Sequence, residues 1–417
     1  MGCDSGNDVG TVRLEGRVTD AQGYGKTEGV SKQETPLLQT AIEGAVVTAA
    51  RIQGNGTLQL LGGQAQTDAT GAFSLNVAAR SGDLLMLRAE KGSFRSAVLV
   101  YVHAGSGGTV RTMPMTAESK AEAEVYVAVR NQDDNDQEEA GDASPALVAA
   151  YITASLAAEL QAGGLTTAQL ATSLQQIARA EAAFVSQAGV STQALTQARQ
   201  RQLAAWTALQ AALHAATSAQ AESNAIANFE ASFLEAYTEA GLSAEARAKL
   251  LQTARLAATR LMAAGSPTAR FALRKQAEIL SALATTAAIE GSFRAAGVAQ
   301  SRIDSLVQAR AALLASLHAA ATTTAIEQAR AEYAAVAEAA LRATLNMSSQ
   351  ALANLKASLS AARNALQTAL SLAGSATAVA EASLAFYGSA ESTISNSLQG
   401  NARAGLAATV LALLQFG

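Results

Sequence analysis

Few side chains in this 417-residue sequence could do chemistry, and their spacing excludes most of it. Cys3 is the only cysteine, which rules out an internal disulfide and any cysteine-built zinc or iron–sulfur centre. His214 and His318 share a context, Leu213-His-Ala-Ala216 and Leu317-His-Ala-Ala320, and a metal-ligand pair is conceivable. About a hundred residues separate them and no acidic partner is near in sequence, so a structural role is the stronger reading. His103 reads as a strand-end residue before the turn Ala104 to Gly108. Asp133, Asp134, Asp136, Glu138, Glu139 and Asp142 offer hard oxygen ligands for calcium. They lack the spacing and internal glycine of an EF-hand loop, which favours a solvated spacer. There is no Gly-x-Ser-x-Gly elbow, P-loop or dinucleotide fingerprint, and Glu159 and Glu278 read as ordinary exposed helix positions. The expectation is a non-enzyme with no cofactor and no metal.

The elements that carry these residues divide in two. Aromatic residues make up 4% of the chain and charged residues 15%, while alanine supplies about a quarter of it, far above ordinary usage. That alanine lies mostly after Ser144, whereas Val9 to Met115 is rich in Val, Thr and Gly. The acidic run falls between the two. Residues 1–144 carry 12 basic and 19 acidic side chains, and residues 145–417 carry 18 and 15. The basic residues of the second part are spread out rather than gathered into a stripe, which argues against nucleic acid as a partner. The run Ala407 to Leu414, broken by Thr409, is far shorter than the roughly 18 apolar residues of a spanning helix. The expected organisation is a tether at 1–8, a β-sandwich at 9–116, a short helix and acidic linker at 117–143, and an alanine-rich helical-hairpin domain at 144–417.

Period-two alternation predicts strands at Val12 to Val18, Ala45 to Ala50, Leu58 to Leu60, Ala72 to Val77, Leu84 to Ala89 and Ala97 to Val102. Turn chemistry stands at Asp20 to Gly23, Asp68 to Gly71, Ser81 to Asp83 and Ala104 to Gly108. Short strands at this density favour an all-β sandwich. The order Gly16-Arg-Val-Thr-Asp20, Ile42-Glu-Gly-Ala-Val-Val47 and Thr67-Asp-Ala-Thr-Gly-Ala-Phe-Ser-Leu75 resembles the carboxypeptidase regulatory-like family, a transthyretin-like sandwich. The resemblance covers about a quarter of the chain. It implies an accessory, non-catalytic module common in secreted bacterial proteins, and it transfers no catalytic residue. Gly71 is expected at positive φ in its turn, with Phe73 and Leu75 on one face. The segment 24–40 is longer and more polar than the family's usual loop, and reads as an insertion.

The first residues carry an address. Gly2-Cys3-Asp-Ser-Gly resembles the start of a mature bacterial lipoprotein, whose acylated cysteine follows a small residue and precedes a polar tether. Myristoylation fits poorly, because position 6 is Gly rather than Ser or Thr. Cys3 is therefore the expected lipid anchor, the membrane is a partner through it alone, and the expected location is the bacterial cell envelope, at the outer membrane or cell surface.

After Ser144, helix starts are expected at Ser144-Pro145, Thr166 with Gln169, Ser266-Pro267, Ser301 with Asp304, and Thr324 with Glu327. Stops are expected at Gly163-Gly164, Gly189, Gly241, Gly265, Gly297 and Gly374. About ten helices of roughly 20 to 28 residues follow. The corners Ala188-Gly-Val190, Ala240-Gly-Leu242 and Ala296-Gly-Val298 recur at intervals of about 50 residues, which predicts an elongated bundle or array of long helical hairpins. Expected core stripes are Leu250, Ala254, Ala257, Ala258 and Leu261; Leu203, Trp206, Leu209 and Leu213; and Ile303, Leu306, Leu313 and Leu317. The function this supports is a structural or protein-interaction role, with other chains or copies of itself as partners. The alternative is an extracellular module for a small ligand or glycan, for which Trp206, Phe229, Phe233 and Tyr237 could line a groove, although aromatics at helical spacing are more often core.

Overall fold

Strand alternation builds the N-terminal part of the computed structural model, which describes residues 9–24, 40–103, 108–132, 141–262 and 265–416. In β1 (Gly10–Arg17) Val12 and Leu14 are buried while Arg13 and Arg17 face outward. β1 lies antiparallel to β5 (Ala72–Ala79) and parallel to β8 (Thr109–Arg111). The second sheet runs in the order β3 (Leu58–Leu60), β2 (Val46–Ile52), β6 (Leu84–Lys91), β7 (Phe94–Tyr101), with β4 (Ala65–Gln66) also on β2. Leu14, Phe73, Leu75, Val47, Leu87 and Val98 join one apolar core, giving a sandwich-like β region. All six expected strands are present. β4 and β8 are too short to leave a periodic signal in the sequence.

The Asp68–Gly71 turn forms as its residues dictate. Gly71 has φ +74°, and a Cβ there would stand 2.4 Å from the Val18 carbonyl oxygen, so only glycine fits. Phe73 and Leu75 are both buried.

β7 shows how the sheets meet the helices. Ala97, Val98, Leu99 and Val100 are all buried, so both faces of this strand are covered. α1 (Ala117–Gln132) packs on it, and Ser119 Oγ donates to the Ala97 carbonyl at 2.8 Å. From α5 (Thr192–Ala215), Gln210 Nε2 donates to the Leu99 carbonyl at 2.9 Å. Helical side chains thus satisfy successive outward carbonyls of an edge strand that would otherwise invite another chain. α1 also packs on α3 (Ala154–Gln161) and α4 (Thr167–Gln187), burying Ala121, Val125, Tyr126 and Val129. It is a core element, and the apolar core runs on from the sheets into the helices.

The remaining helices are α2 (Pro145–Tyr151), α6 (Ala219–Glu239), α7 (Ala244–Arg260), α8 (Pro267–Ala295), α9 (Gln300–Ala319), α10 (Thr323–Leu345), α11 (Ser349–Ser358), α12 (Ser360–Leu372), α13 (Ala376–Ser397) and α14 (Ala404–Leu414). Among the described residues after Ser144 there are thirteen helices of 7 to 29 residues, more numerous and more varied than the ten expected there. Short helices such as α2 and α11 fell below the length that periodicity resolves. Ser144, Thr166 and Ser266 cap as expected, Thr166 with Gln169 in a full capping box. Two expected starts move. α9 begins after Ala299 with no side-chain cap, not at Ser301, and α10 is capped by Thr322, whose hydroxyl accepts from the Ala325 amide, not by Thr324. Gly163, Gly189, Gly241 and Gly297 have positive φ, whereas Gly265 and Gly374 do not and so end no helix in that manner.

The repeat is visible in its corners. Gly189, Gly241 and Gly297 each close a helix in the left-handed conformation, and the next amide bonds back to the helix: Val190 to Val185 at 3.1 Å, Leu242 to Tyr237 at 3.0 Å, Val298 to Phe293 at 3.2 Å. A fourth corner uses Asn346 at φ 51°, with Met347 bonding to Arg342 at 2.9 Å. The alternate corners also match one another. Ala216, Ala320 and Ala373 end α5, α9 and α12 in extended conformation with ψ of 130°, 128° and 113°, and Ser218, Thr322 and Ser375 cap the helices that follow. α5 pairs with α6, α7 with α8, α9 with α10 and α12 with α13. Contacts are not confined to sequence neighbours: α13 returns to pack on α4 and α7. α14 is apolar on every side and accordingly buried, against α8, α10, α13 and α7.

Candidate functional site

The three-stranded sheet and the α5–α6 corner enclose a groove of about 480 Å³, within the size range of small-molecule sites. Alternation along β1 sends Arg13, Glu15 and Arg17 to the outer face, and the β1–β5 register sets Ser74 beside Glu15 and Ala72 beside Arg17. The opposite wall comes from the last turn of α5, with Leu213 and His214, and from Glu222 in the first turn of α6.

The charges of the groove differ in how far they are committed. Arg13 Nε donates to Ser74 Oγ at 2.7 Å and pairs with Glu15 at 2.9 Å. Asp68 Oδ1 accepts from the Thr70 hydroxyl at 2.7 Å and from the Thr70 and Ala72 amides at 2.8 and 3.0 Å. These bonds, the Thr70 hydroxyl foremost, hold the Asp68 carboxyl below its usual range, with Arg17 adding charge attraction. Asp68 is therefore spent on its turn. Arg17 makes no hydrogen bond or ion pair with any described residue. His214 Nδ1 lies 3.1 Å from the Thr112 carbonyl; a carbonyl only accepts, so Nδ1 carries the hydrogen in this contact.

Further polar clusters lie within the helical core. Glu181 of α4, fully buried, meets Arg199 of α5 at 2.6 Å and accepts from Tyr237 OH at 2.9 Å, while Arg199 donates to Gln202 at 3.0 Å. Burial and then the charge of Glu181 push the Tyr237 phenol well up. Glu278 is not the exposed helix carboxylate expected from sequence. It is 2% exposed, 2.9 Å from Arg255 and 3.7 Å from Arg330. Burial would raise its carboxyl, but Arg255 and Arg330 outweigh it and hold it below the usual range. Helical periodicity could not find this residue, because its partners lie on other helices. Glu159, half-buried, accepts from Ser266 Oγ at the start of α8.

The remaining sequence candidates are dispersed. His214 reaches the groove, the His318 backbone carbonyl accepts from buried Lys275 at 2.8 Å, and His103 is exposed just beyond β7. No set of three His, Cys, Asp or Glu that could hold a metal occurs among the described residues. Asp142 accepts from Gln175 at 2.7 Å and stands 3.9 Å from Arg130. Cys3, Asp133, Asp134, Asp136, Glu138, Glu139 and residues 25–39 of the insertion lie outside the described residues. Trp206, Phe229, Phe233 and Tyr237 are at most 2% exposed, and Phe229, Phe233 and Tyr237 follow one another along α6 in tilted and edge-on contact, with ring centroids 5.9 and 6.1 Å apart. They belong to the apolar core. The groove residues Arg13, Glu15 and Arg17 drew no attention in the sequence, although three charges at every second position of a strand was a legible sign of a charged sheet face.

Among the described residues no helix is long and apolar enough to cross a membrane. Compared with known proteins, the chain matches no family model, no curated protein and no solved structure.

Proposed function

We propose that this chain is a non-catalytic cell-envelope lipoprotein, anchored by acyl groups on Cys3, whose helices form a surface for contact with other proteins, copies of itself included. The observation that carries the reading is the one-sided burial of the outer helices. In α9 only Ile303, Leu306, Leu313 and Leu317 are buried over 20 residues, and in α12 only Ala362, Leu366 and Leu370 over 13. The faces left over are rich in alanine, as at Ala311, Ala312 and Ala315, and allow close backbone approach.

Two finer readings go with the proposal. The helices form an array of long hairpins, supported by the four recurring left-handed corners, and the β region is a carboxypeptidase regulatory-like sandwich, supported by the Gly71 turn and the six strands. Mass spectrometry of the N-terminus in the source cell tests the anchor: a diacylated Cys3 is expected, and a free thiol there refutes it. Light scattering of the purified chain tests the contact role. Growth of mean mass with concentration is expected, and a fixed monomer mass contradicts it.

A further inference from the structure

The groove between the three-stranded sheet and the α5–α6 corner has a chemistry of its own, independent of anchoring or assembly. Its floor is the face of a sheet, where the backbone amides and carbonyls of β1 are spent on β5 and β8. An extended peptide cannot add a strand there, and a ligand must be read by side chains. Arg17 makes no hydrogen bond or ion pair with any described residue, though Asp68 draws on its charge, and Arg13 meets Ser74 and Glu15 through Nε. A planar guanidinium matches a carboxylate bidentately. Around these donors stand groups suited to hydroxyls: Ser74, Gln66 and the Glu15 carboxylate.

From this arrangement we infer that the groove binds an acidic saccharide, with its carboxylate on Arg17 and its hydroxyls shared among Ser74, Gln66 and Glu15. A long acyl chain is a poor fit, because its path over Phe73 and Leu213 is interrupted by the charged side chains Arg13, Glu15, Arg17 and Asp68. A bare anion would use the arginines alone and leave the hydroxyl-binding groups idle.

The test is a titration of the full chain by ligand-observed NMR with sodium D-glucuronate, D-glucose and sodium acetate at matched ionic strength. Glucuronate is expected to bind at least about tenfold more tightly than glucose or acetate. Arg17→Gln is expected to weaken glucuronate by about tenfold or more, with Arg17→Lys intermediate, because lysine keeps the charge and loses the fork. Arg17 is exposed, so both variants should melt as the parent does. Ser74→Trp, which places an indole in the groove, should abolish binding. Absence of glucuronate binding, equal binding of acetate, or full binding by Arg17→Gln would each overturn the inference.

Discussion

Two glycines near the end of α8 should respond in opposite directions to the same substitution. Gly291 lies within the helix and Gly297 just beyond it, and a Cβ added at either would meet nothing within 4 Å. Packing is thereby removed from the comparison and only backbone conformation remains. At Gly297 φ is +65°, a conformation that costs a residue with a Cβ about 1–2 kcal/mol, so Gly297→Ala should destabilise by that amount. At Gly291 the conformation is helical, and Gly291→Ala should stabilise by roughly 0.5–1 kcal/mol. The spread between the variants is then about 1.5–3 kcal/mol, well above the error of urea unfolding followed by far-ultraviolet circular dichroism. The chain carries its own control, since Asn346 closes the equivalent corner at φ 51°. Gly297→Asn should accordingly lose less than Gly297→Ala. If Gly297→Ala is neutral or stabilising, the left-handed corner is not what ends this helix, and the repeat built on such corners fails.

The other predictions concern buried polar contacts. Glu278→Gln leaves Arg255 without its charge partner and should cost about 3–5 kcal/mol by urea unfolding. Because the Glu278 carboxyl is held below its usual range, it adds stability above the unfolded carboxylate pKa that disappears as pH falls through the folded value. The acid branch of a stability–pH curve should therefore be shallower in Glu278→Gln, and an unchanged slope would refute the pairing. Glu181→Leu and Arg199→Leu should each destabilise strongly while the double variant loses less than their sum, read as a double-mutant cycle; additivity would show the two groups to be uncoupled. Gln210→Leu uncaps the Leu99 carbonyl and should cost about 1–3 kcal/mol, with faster hydrogen exchange in β7; unchanged exchange would remove the capping role.

What the sequence revealed follows from how local each signal is. Strand alternation and the Asp68–Gly71 turn are encoded in adjacent residues, and both were legible. The Gly189, Gly241 and Gly297 corners were legible for the same reason, whereas the Asn346 corner was hidden because asparagine marks a left-handed position less distinctly than glycine. Burial of Glu278 depends on Arg330, 52 positions away on another helix, and no periodicity reports such a pairing. The groove was illegible for a related reason. Its floor comes from β1 and its wall from His214 and Glu222, brought together only by the packing of α5 on the β region.

Whether the outer helical faces are contact surfaces is read most simply by sedimentation of the full chain beside a variant charged on one such face. Ala312 and Ala315 are exposed on α9, and replacing both with glutamate leaves the buried stripe Ile303, Leu306, Leu313 and Leu317 intact. Contact through this face requires that the parent chain associate as its concentration rises and that Ala312→Glu with Ala315→Glu shift it toward monomer at an unchanged melting temperature. A parent chain that sediments as a monomer at every concentration, or a charged variant that associates as the parent does, would contradict it.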